Sequence, residues 1–348
     1  MSGPLDISVV IPTYEMASHL DELWSSLDRS GLLDVVREVI IVDDGSNDAT
    51  RDVLARLGEG PRGERLRVLS LPKNVGRFRA RLAGAKEATG ERILFLDTRL
   101  VLPADFGECL AGAASLHRSV MGNVDIDVTR DVFCLYWQRS HHFLFRRHYR
   151  DTVRELTLTK ENYDQYLKGT GVFLCERELF VNTSERYSDL FSDDTLLMKD
   201  MVATTPITLH PAVRVSWVPR DNARDFLARI WERGPGFVEY HVLEHRGRFF
   251  WIIAGGSVGL VGLVGVAVVA PPVAAAITVG AVGVAALSTA LFARSAREAV
   301  RMAPLHVAVV ATFGGSVLRG LAVNARRALA SYRVEAAQRR SRTSSQTE

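Results

Sequence analysis

Short runs of consecutive apolar residues mark the first hundred positions. ISVVI (7–11), EVIIV (38–42), LRVLSL (66–71) and RILFL (92–96) are rich in β-branched side chains. Unbroken runs of this kind suit strands covered on both faces. Between them the apolar spacing changes to that of a helix. Leu20, Leu23, Trp24 and Leu27 form one stripe, with Ser18 and Asp21 spaced as a capping box at its start. Val53, Leu54 and Leu57 form a second, which Asn47 or Asp48 can cap and Gly58 ends. Phe78, Leu82 and Ala85 form a third, ending at Gly90. Strands alternating with helices predict an α/β fold, an open and mostly parallel sheet with helices on both faces. Ligands of such sheets bind at the carboxyl ends of the strands.

The pattern changes near residue 249. Residues 250–270 and 273–293 contain no charged side chain, and each run matches the roughly 20 residues that a helix needs to cross a bilayer. Pro271-Pro272 between them breaks the helix, so the pair reads as a tight hairpin. Gly255, Gly259, Gly262 and Gly265 on one run, with Gly280 and Gly283 on the other, would let two backbones approach closely. Arg246 and Arg248 precede the hairpin and Arg294, Arg297 and Arg301 follow it, which puts both flanks in the cytoplasm. A third apolar stretch, 305–323, carries His306 and Arg319. An arginine deep in a bilayer costs about 3 kcal/mol, so this stretch is expected to lie in the cytoplasmic interface, its arginine-rich tail against anionic lipid. The expected organisation is a domain over 1–245 (halves 1–100 and 101–245), a transmembrane hairpin over 246–301, and an interfacial helix with a basic tail over 302–348.

Composition adds little that contradicts this. The net charge of the 348 residues is +3, and the three cysteines, Cys109, Cys134 and Cys175, are widely separated, so neither a disulfide framework nor a metal-ligand spacing is expected. MSGPLD has no basic segment leading into an apolar run, so no secretory signal peptide is expected there. No G-x-G-x-x-G follows the first strand and no G-x-x-x-x-G-K-[ST] occurs, which argues against a dinucleotide dehydrogenase and a P-loop NTPase.

Polar residues gather where the strands end. Pro12-Thr13-Tyr14-Glu15 follows the first, Asp43-Asp44-Gly45-Ser46 the second, and Asp97-Thr98-Arg99 the fourth. Each alone reads equally well as a capping turn. Together, VVIPTYE, IIVDDGSNDAT and NVGRFRARLAGAKEATGERILFLDTR closely resemble the opening of family-2 glycosyltransferases of the GT-A fold. The resemblance continues through KGTGVFLCERELF and FSDDTLLM to the membrane hairpin, and so covers nearly the whole chain.

The resemblance implies a nucleoside-diphosphate sugar donor and transfer of the sugar with inversion. On it, Asp44, beside Asp43 in the DDGS turn, binds the base. Pro12, Thr13 and Glu15 line the nucleoside, Asp97 faces the ribose or diphosphate, and Arg77 and Arg81 supply positive charge near the nucleotide. An inverting transfer needs a base for the acceptor's proton. The family's Glu-Asp pair is matched here by Asp193-Asp194, with Asp194 as base and Asp193 positioning it. A plain acidic first turn of a helix has the same composition.

The chain departs from the family at Arg99. There the family has the second acid of Asp-x-Asp, a ligand of Mg²⁺ or Mn²⁺. Asp97 remains as a metal ligand, and Arg99 either takes over part of the metal's charge or turns away. The alternative to an enzyme is a catalytically idle, sugar-nucleotide-binding membrane scaffold.

Other features carry less. Asp125 and Asp127 also spell Asp-x-Asp, but without an apolar strand leading into them. His141-His142 has the wrong spacing for a metal. YWQRSHHFLFRRHYR (136–150) mixes aromatic and basic residues, and the adjoining anchor makes lipid a better partner for it than nucleic acid. Arg224, Arg229, Trp231 and Arg233 fall in a segment resembling the family's donor-covering one. The expectation is an enzyme of the cell membrane, its catalytic domain and C-terminus cytoplasmic, taking a nucleoside-diphosphate sugar and a lipid-linked or cell-envelope glycan acceptor.

Overall fold

The computed structural model describes residues 5–187 and 193–344. Contacts divide the chain into two units, Met1–Pro219 and Arg220–Glu348.

The first unit is built on one sheet with strands β1 (Ile7–Thr13), β2 (Glu38–Asp43), β3 (Leu66–Ser70), β4 (Arg92–Leu96), β5 (Leu100–Val101), β6 (Ser119–Asp125), β7 (Leu156–Leu158), β8 (Val172–Glu176) and β9 (Ile207–Trp217). Their order is β3-β2-β1-β4-β8-β6-β9-β5, with β7 on β9. The four strands read from the sequence form the parallel part, with Val9 level with Val39 on one side and Leu94 on the other. Beyond β4 the sheet is mixed rather than mostly parallel. β8 is antiparallel to both β4 and β6, and β6 is parallel to β9.

Helices cover both faces, which is why β1, β2 and β4 read as unbroken apolar runs. On one face α1 (Ala17–Arg29) lays Leu20, Leu23 and Leu27 over Val9, Ile11 and Val39. The short α2 (Leu32–Val35) follows it, and α3 (Thr50–Glu59) follows β2. On the other face α4 (Arg77–Glu87) comes so close that a side chain on Gly84 would stand 2.5 Å from Val10 Cγ1. The remaining helices of this unit are α5 (Phe106–Ala114), α6 (Val132–Leu144), α7 (Arg146–Asp151), α8 (Arg177–Ser184) and α9 (Asp193–Thr204).

The Ser18–Asp21 capping box does not form. Ser18 lies inside α1 and its hydroxyl meets His19 Nδ1 at 3.0 Å. The first N–H groups go instead to the next loop, Met16 N to Thr50 Oγ1 (3.1 Å) and Ala17 N to Asp48 Oδ2 (3.4 Å). Asp48 also accepts from Thr50 N, at the start of α3.

The second unit is helical: α10 (Ala223–Glu232), α11 (Gly234–Val238), a π-helical turn Glu239–Glu244, α12 (Arg248–Val269), α13 (Pro271–Ser288) and α14 (Ala296–Ser344). Three stretches, Arg248–Val269, Pro271–Leu291 and Ala296–Leu329, are long and apolar enough to cross a membrane. Pro271 and Pro272 open α13, where their missing N–H groups cost nothing. The glycines of α12 and α13 do not make the close approach expected of them. A side chain at Gly255, Gly259, Gly262, Gly265, Gly280 or Gly283 would meet open space.

The third apolar stretch is part of the long α14. It meets the carboxyl end of α13, where Ser288 Oγ lies 2.9 Å from His306 Nε2. It then reaches the start of α12 through the ring series Phe313–Phe237–Phe249, with centroids 4.9 and 5.3 Å apart. Farther on, Ser316 Oγ donates to the Trp231 carbonyl and accepts from Gly234 N (2.8 Å), and Asn324 Nδ2 donates to the Pro235 carbonyl. These bonds satisfy backbone groups at the break between α10 and α11, and they group residues 220–245 with the C-terminal helices. Trp231, read as a donor contact, packs on α14 under the Arg319 guanidinium.

Candidate active site

β1, β2 and β4 are parallel neighbours, so the polar residues that follow them share one edge of the sheet. Thr13 is level with Asp43, and Asp44 N donates to the Thr13 carbonyl at 2.8 Å. Thr98 Oγ1 donates to the Pro12 carbonyl at 3.0 Å, fastening the end of β4 to that of β1. Thr13 Oγ1 is buried without a hydrogen-bond partner among the described residues.

The two acids of the DDGS turn face different ways. Asp43 is fully buried and turns inward. It accepts from Ser46 N (2.9 Å) and from Arg51 Nε (2.7 Å). Burial pushes its pKa up, but the bonds to Arg51 and Ser46 outweigh this and hold it below the usual carboxylate range. Asp44 reaches the following loop, accepting from Val75 N at 2.7 Å and Gly76 N at 2.9 Å. Here burial outweighs the two backbone bonds and raises the pKa. Gly45 follows the two acids at φ +72°, and a side chain there would stand 2.4 Å from the Lys73 carbonyl carbon, so the loop can close only over a glycine. Replacing Asp44 with alanine leaves the half-buried Val75 N–H unpaired and leaves Gly76 N–H with only the Asn74 side-chain oxygen at 3.1 Å. The expected stability loss is about 1–2 kcal/mol, measurable by denaturant unfolding, together with weaker nucleotide binding in calorimetry.

Glu15 takes the left-handed backbone, φ +51°, with its N–H on Ser46 Oγ at 3.0 Å. Its side chain is exposed beside Tyr14. Arg77, half-buried, opens α4 directly after the Gly76 held by Asp44.

At the end of β4, Asp97 Oδ1 accepts from Arg81 Nη2 at 2.9 Å; the Arg81 side chain is only 3% exposed, that of Asp97 43%. Asp97 Oδ2 faces Gly171, where an added side chain would stand 3.2 Å away. Arg99 turns from this pair. Its Nε and Nη2 donate to the carbonyls of Val218 and Pro219, both at 2.8 Å. The permanent positive charge on Asp97 therefore comes from Arg81.

Asp193 and Asp194 open α9, as the sequence suggests, but their side chains and residues 188–192 lie outside the described residues. The first turn of α9 is tied down by a residue the sequence reading missed. Tyr163, fully buried, donates from Oη to the Thr195 carbonyl. The Lys168 ammonium lies 4.4 Å from the centroid of the same ring, and burial, with Lys199 nearby, lowers its pKa to about 8 against the opposing pull of Asp164. Burial likewise lowers His148 to about 4, helped by Lys168 and His142. The one sequence signal for this cluster was the KGTG turn, which Lys168 begins.

Asp125 does have a strand leading into it, since β6 is buried over Ser119–Gly122. Asp127 serves as a local cap, accepting from Thr129 N and Oγ1. His141 stacks on Trp137 and His142 on Tyr149. Among the described residues no group of three His, Cys, Asp or Glu is placed to hold a metal.

The family model described as Glycosyl transferase family 2 matches residues 8–176. The match includes Asp44 and Asp97 and stops at the end of β8, before α9. An undecaprenyl-phosphate 4-deoxy-4-formamido-L-arabinose transferase of Sodalis glossinidius is 33% identical over 128 residues, 36% of this chain and 39% of that one. A dolichyl-phosphate beta-glucosyltransferase of Drosophila melanogaster is 36% identical over 102 residues, 28% of this chain and 31% of that one. The chain thus spans well under two thirds of the length of these relatives. The solved structure of the mannosyltransferase PcManGT from Pyrobaculum calidifontis, in complex with GDP-Man and Mn²⁺, matches with a TM-score of 0.55 at 18% identity, over 89% of this chain and 87% of that one. This likeness identifies the fold as GT-A.

Proposed function

We propose, since residues 8–176 are a glycosyltransferase family 2 domain, that the protein transfers a sugar, with inversion, from a nucleoside diphosphate to a phosphate-bearing membrane lipid. The observation that carries the reading is the convergence of Thr13, Asp44 and the Arg81–Asp97 pair at the carboxyl ends of three parallel strands. The names of the relatives, which act on undecaprenyl phosphate and dolichyl phosphate, support the acceptor class.

Asp44 reads the base. Its buried carboxylate keeps lone pairs beyond those used by Val75 and Gly76, and an N–H of the base would offset the desolvation that raises its pKa. Pro12, Thr13 and Glu15 flank the nucleoside, with Asp43 holding the turn in shape. Arg77 and the Arg81–Asp97 pair face the diphosphate. Asp194 takes the acceptor's proton where one is present, as the new bond forms to the anomeric carbon and the bond to the diphosphate breaks. Asp193 positions it.

The residues present fit a divalent cation held by one carboxylate. Asp97 Oδ2 remains open on a half-exposed side chain, and Arg99 points elsewhere. Mg²⁺ or Mn²⁺ there would complete its shell with phosphate oxygens and neutralise the leaving diphosphate.

Arg99, in place of a second acid, favours one other reading, an idle sugar-nucleotide-binding scaffold. Turnover separates the two. Membranes holding the protein, given a panel of radiolabelled sugar nucleotides, should yield label in the organic extract; no label from any donor would leave the scaffold.

For topology we propose that α12 and α13 span the cell membrane and α14 lies along the cytoplasmic interface. α14 meets the end of α13 and the start of α12, which are the same end of a two-helix hairpin. Its Arg319 and polar notch serve the backbone at the end of α10, a charged helix. Reporters fused after residues 248 and 348 should both read cytoplasmic. A periplasmic signal from the second alone would make α14 a third span.

A further inference from the structure

Large apolar side chains are exposed on either side of α7, at the end of α6 and just past Asp151. Phe143 and Leu144 are 41% and 40% exposed, and Val153 is 71% exposed. Asn123 Nδ2 donates to the Thr152 carbonyl, which brings the end of β6, with half-exposed Val124, beside Val153. Other exposed large apolar residues of this unit, such as Val68 and Leu116, stand apart in sequence and on different elements, as single ones normally do.

The α7 corner between them is basic. Arg146, Arg147, Arg150 and Arg154 are all exposed, against three acids, Asp151, Glu155 and Asp125 at the end of β6. Asp151 is already engaged by Arg150 (2.8 Å) and Tyr166 Oη (3.0 Å). Apolar and aromatic side chains ringed by arginine are the composition of a surface that sits at the headgroup–acyl boundary of an anionic bilayer.

The corner also has a place relative to the site. β6 and β4 are each antiparallel to β8, so they run in the same direction, and the carboxyl end of β6 lies at the sheet edge that carries Asp97. We propose that this corner is a bilayer-docking surface: Phe143, Leu144 and Val153 enter the lipid interface and the four arginines meet lipid phosphates. It rests on the reading of a lipid acceptor and gives that reading a direction, because docking here turns the acceptor side of the sheet edge toward the membrane. A second copy of the chain is the poorer occupant, since a two-fold contact would set these arginines against one another.

The test uses the full chain with Cys109→Ser, the other two cysteines being buried. Leu144→Cys, Val153→Cys and, as control, Val68→Cys on the edge strand β3 are each labelled with a polarity-sensitive dye. They are reconstituted in phosphatidylcholine vesicles with and without phosphatidylglycerol. Labels at 144 and 153 should shift to the blue and be quenched by spin-labelled lipid, the more so with phosphatidylglycerol, while the label at 68 is quenched only by aqueous iodide. Charge reversal at Arg146 and Arg150 together should weaken the lipid quenching. Iodide quenching at all three positions would overturn the proposal. So would a blue shift that disappears when the protein is diluted in excess lipid, the mark of a second copy. No readout depends on sugar transfer. Turnover with all labels in water removes only the docking surface; labels in lipid without turnover from any donor remove the function.

Discussion

Asp194→Asn is expected to leave nucleotide binding unchanged in calorimetry and to lower transfer by about 10² or more wherever the acceptor still carries its proton, the usual worth of a positioned base. The substitution keeps the shape and hydrogen-bonding size of the side chain and removes its ability to take a proton. The pH dependence of the loss then reports the acceptor. A phosphate monoester loses its second proton near pH 6, so above that range a lipid phosphate attacks as the dianion and has no proton for Asp194 to remove. The deficit should be largest at acid pH and shrink as pH rises through about 6–7. A hydroxyl acceptor keeps its proton throughout, and the deficit would then stay constant. Near wild-type transfer at every pH would remove Asp194 from the base role. Tyr163→Phe offers a milder comparison, because it frees the Thr195 carbonyl at the first turn of α9 and leaves both carboxylates in place.

What the sequence made legible follows from how local each determinant is. β1, β2 and β4 are buried on both faces and therefore largely apolar, with the buried Ser8 of β1 donating to Glu38 of β2, and the run 92–96 coincides with β4 itself. β3 is weaker because it is the edge strand, with Val68 open to solvent. β5 and β7 are two and three residues long, too short to show any period. β9 hides for another reason. Its register on β6 jumps from His210 to Arg214 opposite Gly122 and Asn123, with Pro211 inside the bulge, so no alternation survives. The capping box failed because the donors of α1 are satisfied by Asp48 and Thr50 from another loop, a contact that spacing within α1 cannot reveal.

The same limit applies to the candidate site. The sequence placed Asp43, Asp44 and Asp97 at strand ends, where the structure has them. It could not say which acid of the DDGS turn faces inward, because that depends on Arg51 reaching back to Asp43 and on the 73–76 loop closing over Gly45. Nor could it say that the cation beside Asp97 would be Arg81, sixteen residues earlier on a helix, and not Arg99, two residues later.

That exchange of arginines decides the expected effect of chelation. An Arg99 guanidinium turned toward the diphosphate would occupy the place of the second acid, repel a divalent cation there and stand in for it. Arg99 instead spends its Nε and Nη2 on the Val218 and Pro219 carbonyls, and Asp97 Oδ2 stays open next to Gly171. Transfer should therefore fall to background in excess EDTA and return with Mn²⁺ or Mg²⁺. The single carboxylate implies that the metal enters largely with the donor's phosphates and is weakly held without them. Arg99→Asp restores a second acid and removes a positive charge, which should tighten the metal requirement by about tenfold in half-saturating Mn²⁺. It should also cost about 2 kcal/mol of stability through the two lost bonds to backbone carbonyls. Arg81→Ala separates the remaining possibility. It leaves Asp97 without its buried partner, so donor binding should weaken while metal dependence persists. If wild-type transfer survives chelation and Arg81→Ala abolishes it, then Arg81 carries the charge that a metal supplies elsewhere, and the site around Asp97 works without one.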